Sequence, residues 1–278
     1  MTLRDEWFGK DGISDLIRSK LGILTVTQMA EVVQPTEYPF NEEPDQVLKD
    51  LIEMEFKRYQ NLTGVDLRLY SRLTEVLLEW GGNFPETQSV IDSYHEKLSL
   101  DPISAADDLA RLAFLFEQSQ SQSRKTRAGS SLELQLEYIL RNNGITKWEK
   151  QKKLTMPDGR TTKVDFIFPS VEHFENDPLD CIAFCCQTTS NDRFRSALGQ
   201  VKLGMKFIPT GIGSSNFGSN LQKLTLPKLE EVQNSGAKYV MFPEGKNFNE
   251  VMSAHSAIIT YSELIQRIKE RHDAWPSY

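Results

Sequence analysis

Asp165 sits inside the apolar run Lys163-Val-Asp-Phe-Ile-Phe168, just after a Pro157-Asp-Gly159 turn. An acid in such a strand either faces outward to solvent or is kept for chemistry. Glu133 and Glu137 stand four residues apart, so on a helix they share one face while Leu132, Leu136, Ile139 and Leu140 hold the other. Either glutamate could project beside Asp165, and spacing alone does not choose between them; a solvated helix face is the structural alternative. Converging carboxylates suit a hard cation such as Mg²⁺, which takes oxygen ligands and keeps part of its water shell. A cation held in that way can activate water against a phosphodiester.

Two further segments carry polar chemistry. Arg124, Lys125 and Arg127 precede the small residues Ala128-Gly129-Ser130, where a helix N-terminus is expected. Cations beside a helix N-terminus can receive phosphate, although basic clusters are more often solvated surface. The segment from Gln187 to Arg195 leaves an apolar strand and enters a helix, so its polar side chains emerge at one sheet edge. Asp192 beside Arg193 can accept from cytosine N4 while the guanidinium grips guanine O6 and N7. The structural alternative is a capping aspartate followed by surface arginines.

The elements that must position these groups follow from periodicity. Residues 1–123 read as helices with polar connections: 44–59 carries Val47, Leu48, Leu51, Ile52 and Phe56 at helical spacing, and 67–80 and 105–116 repeat the pattern. The polar stretch 117–124 reads as a linker or mobile loop. A boundary near residue 120 then divides a helical region, 1–120, from a second domain, 121–278. A helix from Ser130 stops at Asn143-Gly144. Strands are expected at 150–156, 163–168, 181–186 and 238–242, and helices at 191–205, 226–234 and 261–271. Helices alternating with short strands in this order make a mixed α/β sandwich.

Composition narrows the classes. With 278 residues, 39% hydrophobic and 26% charged, the chain reads as a soluble globular protein. An acidic N-terminus and the lack of any run of 18 apolar residues predict neither secretion nor membrane insertion, and hence a cytoplasmic protein. Cys181, Cys185 and Cys186 lack paired ligand spacing and read as core residues of a strand in a reducing compartment. A net charge of −7 requires any nucleic-acid contact to be confined to a local basic surface.

Taken in order, these segments resemble the catalytic domain of the EcoRII family of type II restriction endonucleases. The matching segments are residues 124–137, 164–170, 187–195 and, more weakly, 236–243. The resemblance covers the chain from about residue 120 onward; the helical first 120 residues do not resemble the β-barrel effector domain of EcoRII itself. It implies a PD-(D/E)xK mixed sheet flanked by helices and Mg²⁺-dependent hydrolysis of double-stranded DNA. It further implies a homodimer reading a short palindromic C/G-containing site, accompanied by a DNA methyltransferase that protects the host. Residue by residue, Glu133 supports the metal site, Asp165 is its central ligand, Asp192 and Arg193 read bases, and Arg124, Lys125 and Arg127 hold the DNA backbone. The chain departs from the family in three places. Gln187 stands where the catalytic lysine belongs, Gln200 where a glutamate is expected thirteen residues later, and Asn191 where a basic residue is usual. Gln187 would position the attacking water, with Lys163 or Lys202 as a relocated charge. The other reading is a catalytically inactive, sequence-specific DNA-binding relative.

Overall fold

Apolar residues on both sides of a strand leave no face for water, so the runs around Phe166, Ala183 and Tyr239 must be covered twice, and they are. The computed structural model describes residues 2–8, 11–20, 22, 24–63, 79, 81–155, 159, 161–186, 205–209, 225–247 and 250–275. Its helices and strands run α1 (Leu3–Phe8), α2 (Ile13–Lys20), α3 (Val26–Val33), α4 (Pro44–Thr63), α5 (Pro85–Leu98), α6 (Pro102–Asn142), β1 (Glu149–Thr155), β2 (Thr161–Phe168), α7 (Val171–Asn176), β3 (Ile182–Phe184) and β4 (Met205–Pro209). There follow α8 (Leu226–Asn234), β5 (Lys238–Val240), α9 (Pro243–Lys246), α10 (Glu250–Ala254), β6 (Ile258–Ile259) and α11 (Tyr261–His272).

The chain forms two compact units, Met1–Met29 with Phe56–Arg127 and Ala30–Glu55 with Ala128–Tyr278. The division therefore differs from a single cut near residue 120. Val47, Leu48, Leu51 and Ile52 of α4 share the core of the second unit with Leu132, Leu136 and Ile139, which is why residues 30–55 belong to it. The first unit is helical and buries Trp7, Ile13, Ile17, Val90, Leu112 and Phe116 together. The N-cap of its α5, Phe84, offers no side-chain acceptor, and the buried Glu6 carboxylate instead accepts from the orphan donors Glu86 N and Thr87 N, and from Thr87 Oγ1, each at 2.8 Å.

In the second unit the described strands form one mixed sheet in the order β1-β2-β3-β4-β5-β6. The first three pair antiparallel and β3 to β6 pair parallel. Ile167, Ala183 and Tyr239 pack on one face with Leu229 and Val232 of α8. Phe166, Phe184 and Val240 pack on the other with α4, α6 and α11. Asp45, at the start of α4, closes this layer by accepting Tyr261 N and Ser262 N at 2.8 Å each, which satisfies the N-terminus of α11 beside its own Thr260–Glu263 capping box.

Most expected elements occur within a residue or two, and three expectations change. Residues 117–124 are not a linker: they are helical within α6. No Gly or Pro interrupts residues 103–128, and Gln, Lys and Arg propagate a helix anchored by apolar turns on either side. For the same reason no helix N-terminus opens at residues 128–130 to receive phosphate. The stop at Asn143-Gly144 is as expected: Gly144 has φ +78°, and Ile145 N and Gly144 N return to Leu140 O and Arg141 O at 3.0 Å each, a Schellman closure. Met205, expected at a helix end, begins the strand β4. The expected helices at 67–80 and 191–204 lie, apart from residue 79, outside the described residues. No helix among the described residues is long and apolar enough to cross a membrane, and all three cysteines are buried and unpaired by disulfides.

Candidate metal centre

Asp165 is placed by the registers of its neighbours. Phe166 lies opposite Phe184 and Ile167 opposite Ala183, so the chain leaving β3 passes Asp165, and Cys186 N donates to its Oδ2 at 2.7 Å. On the other side, the pairs Lys150↔Phe166 and Lys152↔Val164 bring Gln151 across from it. Gln151 Nε2 donates to Asp165 Oδ1 at 2.9 Å and to Glu133 Oε2 at 2.6 Å. Glu133 and Asp165, from α6 and β2, therefore converge on one amide nitrogen.

The rotation of α6 decides which glutamate takes part. Leu132 and Leu136 are fully buried, and a polar latch holds the same stretch: Ser131 Oγ and Gln135 Nε2 both donate to Glu55 Oε2, at 2.7 and 3.0 Å. Gln34 Nε2 donates to Gln135 Oε1 at 3.1 Å. With this phase Glu133 meets Gln151, whereas Glu137 is taken by Arg141 Nη2 at 2.8 Å and by Lys150 Nζ. The alternative left open by the spacing thus resolves in favour of Glu133 next to Asp165.

Burial, followed by the charge of Asp165, holds the Glu133 carboxyl above the ordinary carboxylate range, against the opposing effects of Gln151, Lys150 and Lys163. Burial and the same two acids push the Cys186 thiol well above its usual range, so it serves as a peptide donor rather than a thiolate. Because the folded pKa of Glu133 is raised, its ionisation costs more in the folded than in the unfolded chain. Stability is greatest where Glu133 is protonated and is lost as pH rises through the raised pKa. Glu133→Gln should accordingly stabilise the metal-free protein in EDTA at pH 7.5. Glu133 is only partly buried, so the gain is about 1 kcal/mol, or about 2 °C in Tm. Melts repeated at pH 4, below the ordinary value of 4.5, should show no gain; an equal gain at both pH values would exclude a charge effect.

The donors fit a hard cation. Two carboxylates touching a single nitrogen point at one spot, and the remaining positions of a Mg²⁺ ion are normally water. Among the described residues no three His, Cys, Asp or Glu side chains form a closed cage. Of the other expected site residues, Arg127 donates to Leu24 O at 2.9 Å and lies over the Tyr59 ring, so its guanidinium is occupied inside the first unit. The side chains of Arg124 and Lys125, and Gln187, Asn191, Asp192, Arg193, Gln200 and Lys202 entirely, lie outside the described residues. Gln187 directly follows Cys186, which touches Asp165. Sequence reading missed Gln151, which sits in a lysine-rich strand that reads as solvated edge, and the Glu55–Gln135 latch, whose partners are far apart in the chain.

Comparison with known proteins adds a family likeness over part of the chain. The model of the family described as EcoRII C terminal matches residues 86–208. No curated protein matches the chain significantly. Among solved structures, metal-depleted Ecl18kI in complex with uncleaved DNA is similar at a TM-score of 0.67 and 16% identity, covering 96% of this chain and 86% of that one. The restriction endonuclease PspGI in its substrate DNA complex is similar at 0.54 and 18% identity, covering 95% and 92%. The chain is thus similar in sequence to the EcoRII C-terminal family over residues 86–208 and shares the fold of these two restriction endonucleases.

Proposed function

We propose that this protein is a Mg²⁺-dependent type II restriction endonuclease that hydrolyses double-stranded DNA at a short, palindromic C/G-containing site. The observation that carries the reading is the convergence of Glu133 and Asp165 in a chain that is similar to this family over residues 86–208 and has this fold. Bound Mg²⁺ would supply an activated water and neutralise charge on the scissile phosphate. Glu133 and Asp165 hold the ion. Gln187, following the residue that tethers Asp165, orients the water through its amide, which can donate and accept but carries no charge. Gln200 takes the sequence position of an expected glutamate as a neutral replacement for an acid. Asp192 and Arg193, with Asn191, read a C·G pair in the major groove, and Arg124 and Lys125 hold the backbone. A DNA methyltransferase protecting the host sequence would accompany the enzyme without touching it.

Incubation with long duplex DNA, in Mg²⁺ and in EDTA, tests this reading. Discrete fragments formed only with Mg²⁺ support it; absence of DNA binding would sink it. Specific binding without cutting would favour an inactive DNA-binding relative, a reading motivated by Gln187 and Gln200 at the lysine and glutamate positions. In that case Gln187→Lys should create cleavage where there was none.

A palindromic site calls for two subunits related by a twofold axis. The first 120 residues are the proposed dimerisation or accessory DNA-contact region, and what supports this is their surface: Leu100, Ile103 and Phe114 are 82%, 80% and 61% exposed. Ile103→Glu with Phe114→Glu should convert a dimer to monomer in sedimentation velocity; an unchanged dimer would remove this surface from the interface.

A further inference from the structure

Gln151 is in an unusual state for a strand residue. Its φ is +53°, left-handed, in the middle of an antiparallel pair whose other registers are regular. A side chain other than Gly in that region costs on the order of 1 kcal/mol and persists only where its surroundings require it. Its side chain bridges the two acids, a single amide NH₂ giving one proton to each. Those acids would otherwise face each other with only partial relief from Lys150 and Lys163.

The distances define the spot. At 2.6 and 2.9 Å from Glu133 Oε2 and Asp165 Oδ1, the nitrogen stands where an ion shared by these two oxygens would have to sit. Oxygens at coordination distance from Mg²⁺ or Ca²⁺, roughly 2.0–2.6 Å, leave no room for both occupants. We propose that Gln151 is the resident occupant of the cation site: its amide holds Glu133 and Asp165 together in the metal-free protein, and a divalent cation binds by displacing it. The inference rests on reading Glu133 and Asp165 as cation ligands. Gln151 is then a positioning residue, an internal competitor that keeps the site assembled and sets how much cation is needed to fill it.

Calorimetric titration of the full chain with Ca²⁺ alone, without DNA, tests the inference, alongside melting in EDTA. Gln151→Ala removes the amide and keeps the backbone strain, whereas Gln151→Gly removes both. Both variants should bind Ca²⁺ about tenfold more tightly than wild type, the worth of one net hydrogen bond to a charged group. Gln151→Ala should also melt lower in EDTA, and its rise in Tm with saturating Ca²⁺ should exceed that of wild type. Unchanged affinity in the two variants would overturn the proposal, as would weaker binding, which would make the amide a ligand. Asp165→Ala separates the two ideas. If it abolishes Ca²⁺ binding while the Gln151 variants bind like wild type, only the occupant role fails. If wild type takes up no Ca²⁺, or Asp165→Ala binds it equally well, the cation reading of Glu133 and Asp165 fails and takes the occupant role with it.

Discussion

Asp165→Ala should lower Mg²⁺-dependent DNA cleavage by at least about 10³-fold while leaving DNA binding within a few-fold of wild type. Asp165 is the point where three parts of the site meet: Gln151 Nε2 on Oδ1, Cys186 N on Oδ2, and Glu133 across the shared amide. Losing it would take away one of the two proposed acidic ligands, and metal-derived charge stabilisation is worth several kcal/mol at the transition state. At about 1.4 kcal/mol per factor of ten, that is three orders of magnitude or more. The stability cost should be about 1–3 kcal/mol: removal relieves repulsion with Glu133 but takes the acceptor from Cys186 N and Gln151 Nε2. Single-turnover cleavage of a plasmid, with Tm and a gel-shift titration on the same preparation, checks all three. A variant that retains more than a tenth of the wild-type rate would remove Asp165 from the metal centre.

Phe166→Ala should destabilise the protein by about 3–5 kcal/mol, a large part of the usual 5–15 kcal/mol. The ring is fully buried, with centroids 5.0 Å from Phe184, 5.5 Å from Trp148 and 6.4 Å from Phe168, and Lys150 Nζ lies 5.6 Å from its centre. Phe168 and Phe184 are held on β2 and β3, so the space left by the ring closes only in part and the cavity cost adds to the transfer cost. The neighbouring Asp165 rides on the same strand, and the variant should therefore lose Ca²⁺ affinity as well as stability. Phe166→Leu, which conserves most of the volume, should cost no more than about 1.5 kcal/mol. Urea unfolding monitored by tryptophan fluorescence measures both; a loss below about 1 kcal/mol for the alanine variant would show that β2 is held by other contacts.

The sequence alone carried the α/β class, the hairpin before a buried strand, the stop of α6 at Asn143-Gly144 and the candidacy of Asp165, because each is written in short-range order. An alternation of two, a spacing of three or four, a Gly at a left-handed position and an acid between apolar neighbours are all local signals. It also narrowed the helical acids to Glu133 and Glu137, but went no further. That choice depended on the rotation of α6, which is set by Leu132 and Leu136 in the core and by Glu55, some eighty residues away, accepting from Ser131 and Gln135. The same holds for residues 117–124, where polar composition suggests a loop but apolar anchors at both ends carry the helix through, and for residues 30–55, which pack with a core that begins again at residue 128. Gln151 is the clearest case. In the sequence it is one polar residue among lysines, and only the pairing of β1 with β2 under α6 sets its amide between two carboxylates. Short-range order dictates which elements form, whereas the meeting of side chains distant in sequence is decided by how the elements pack, and it is there that the candidate site is made.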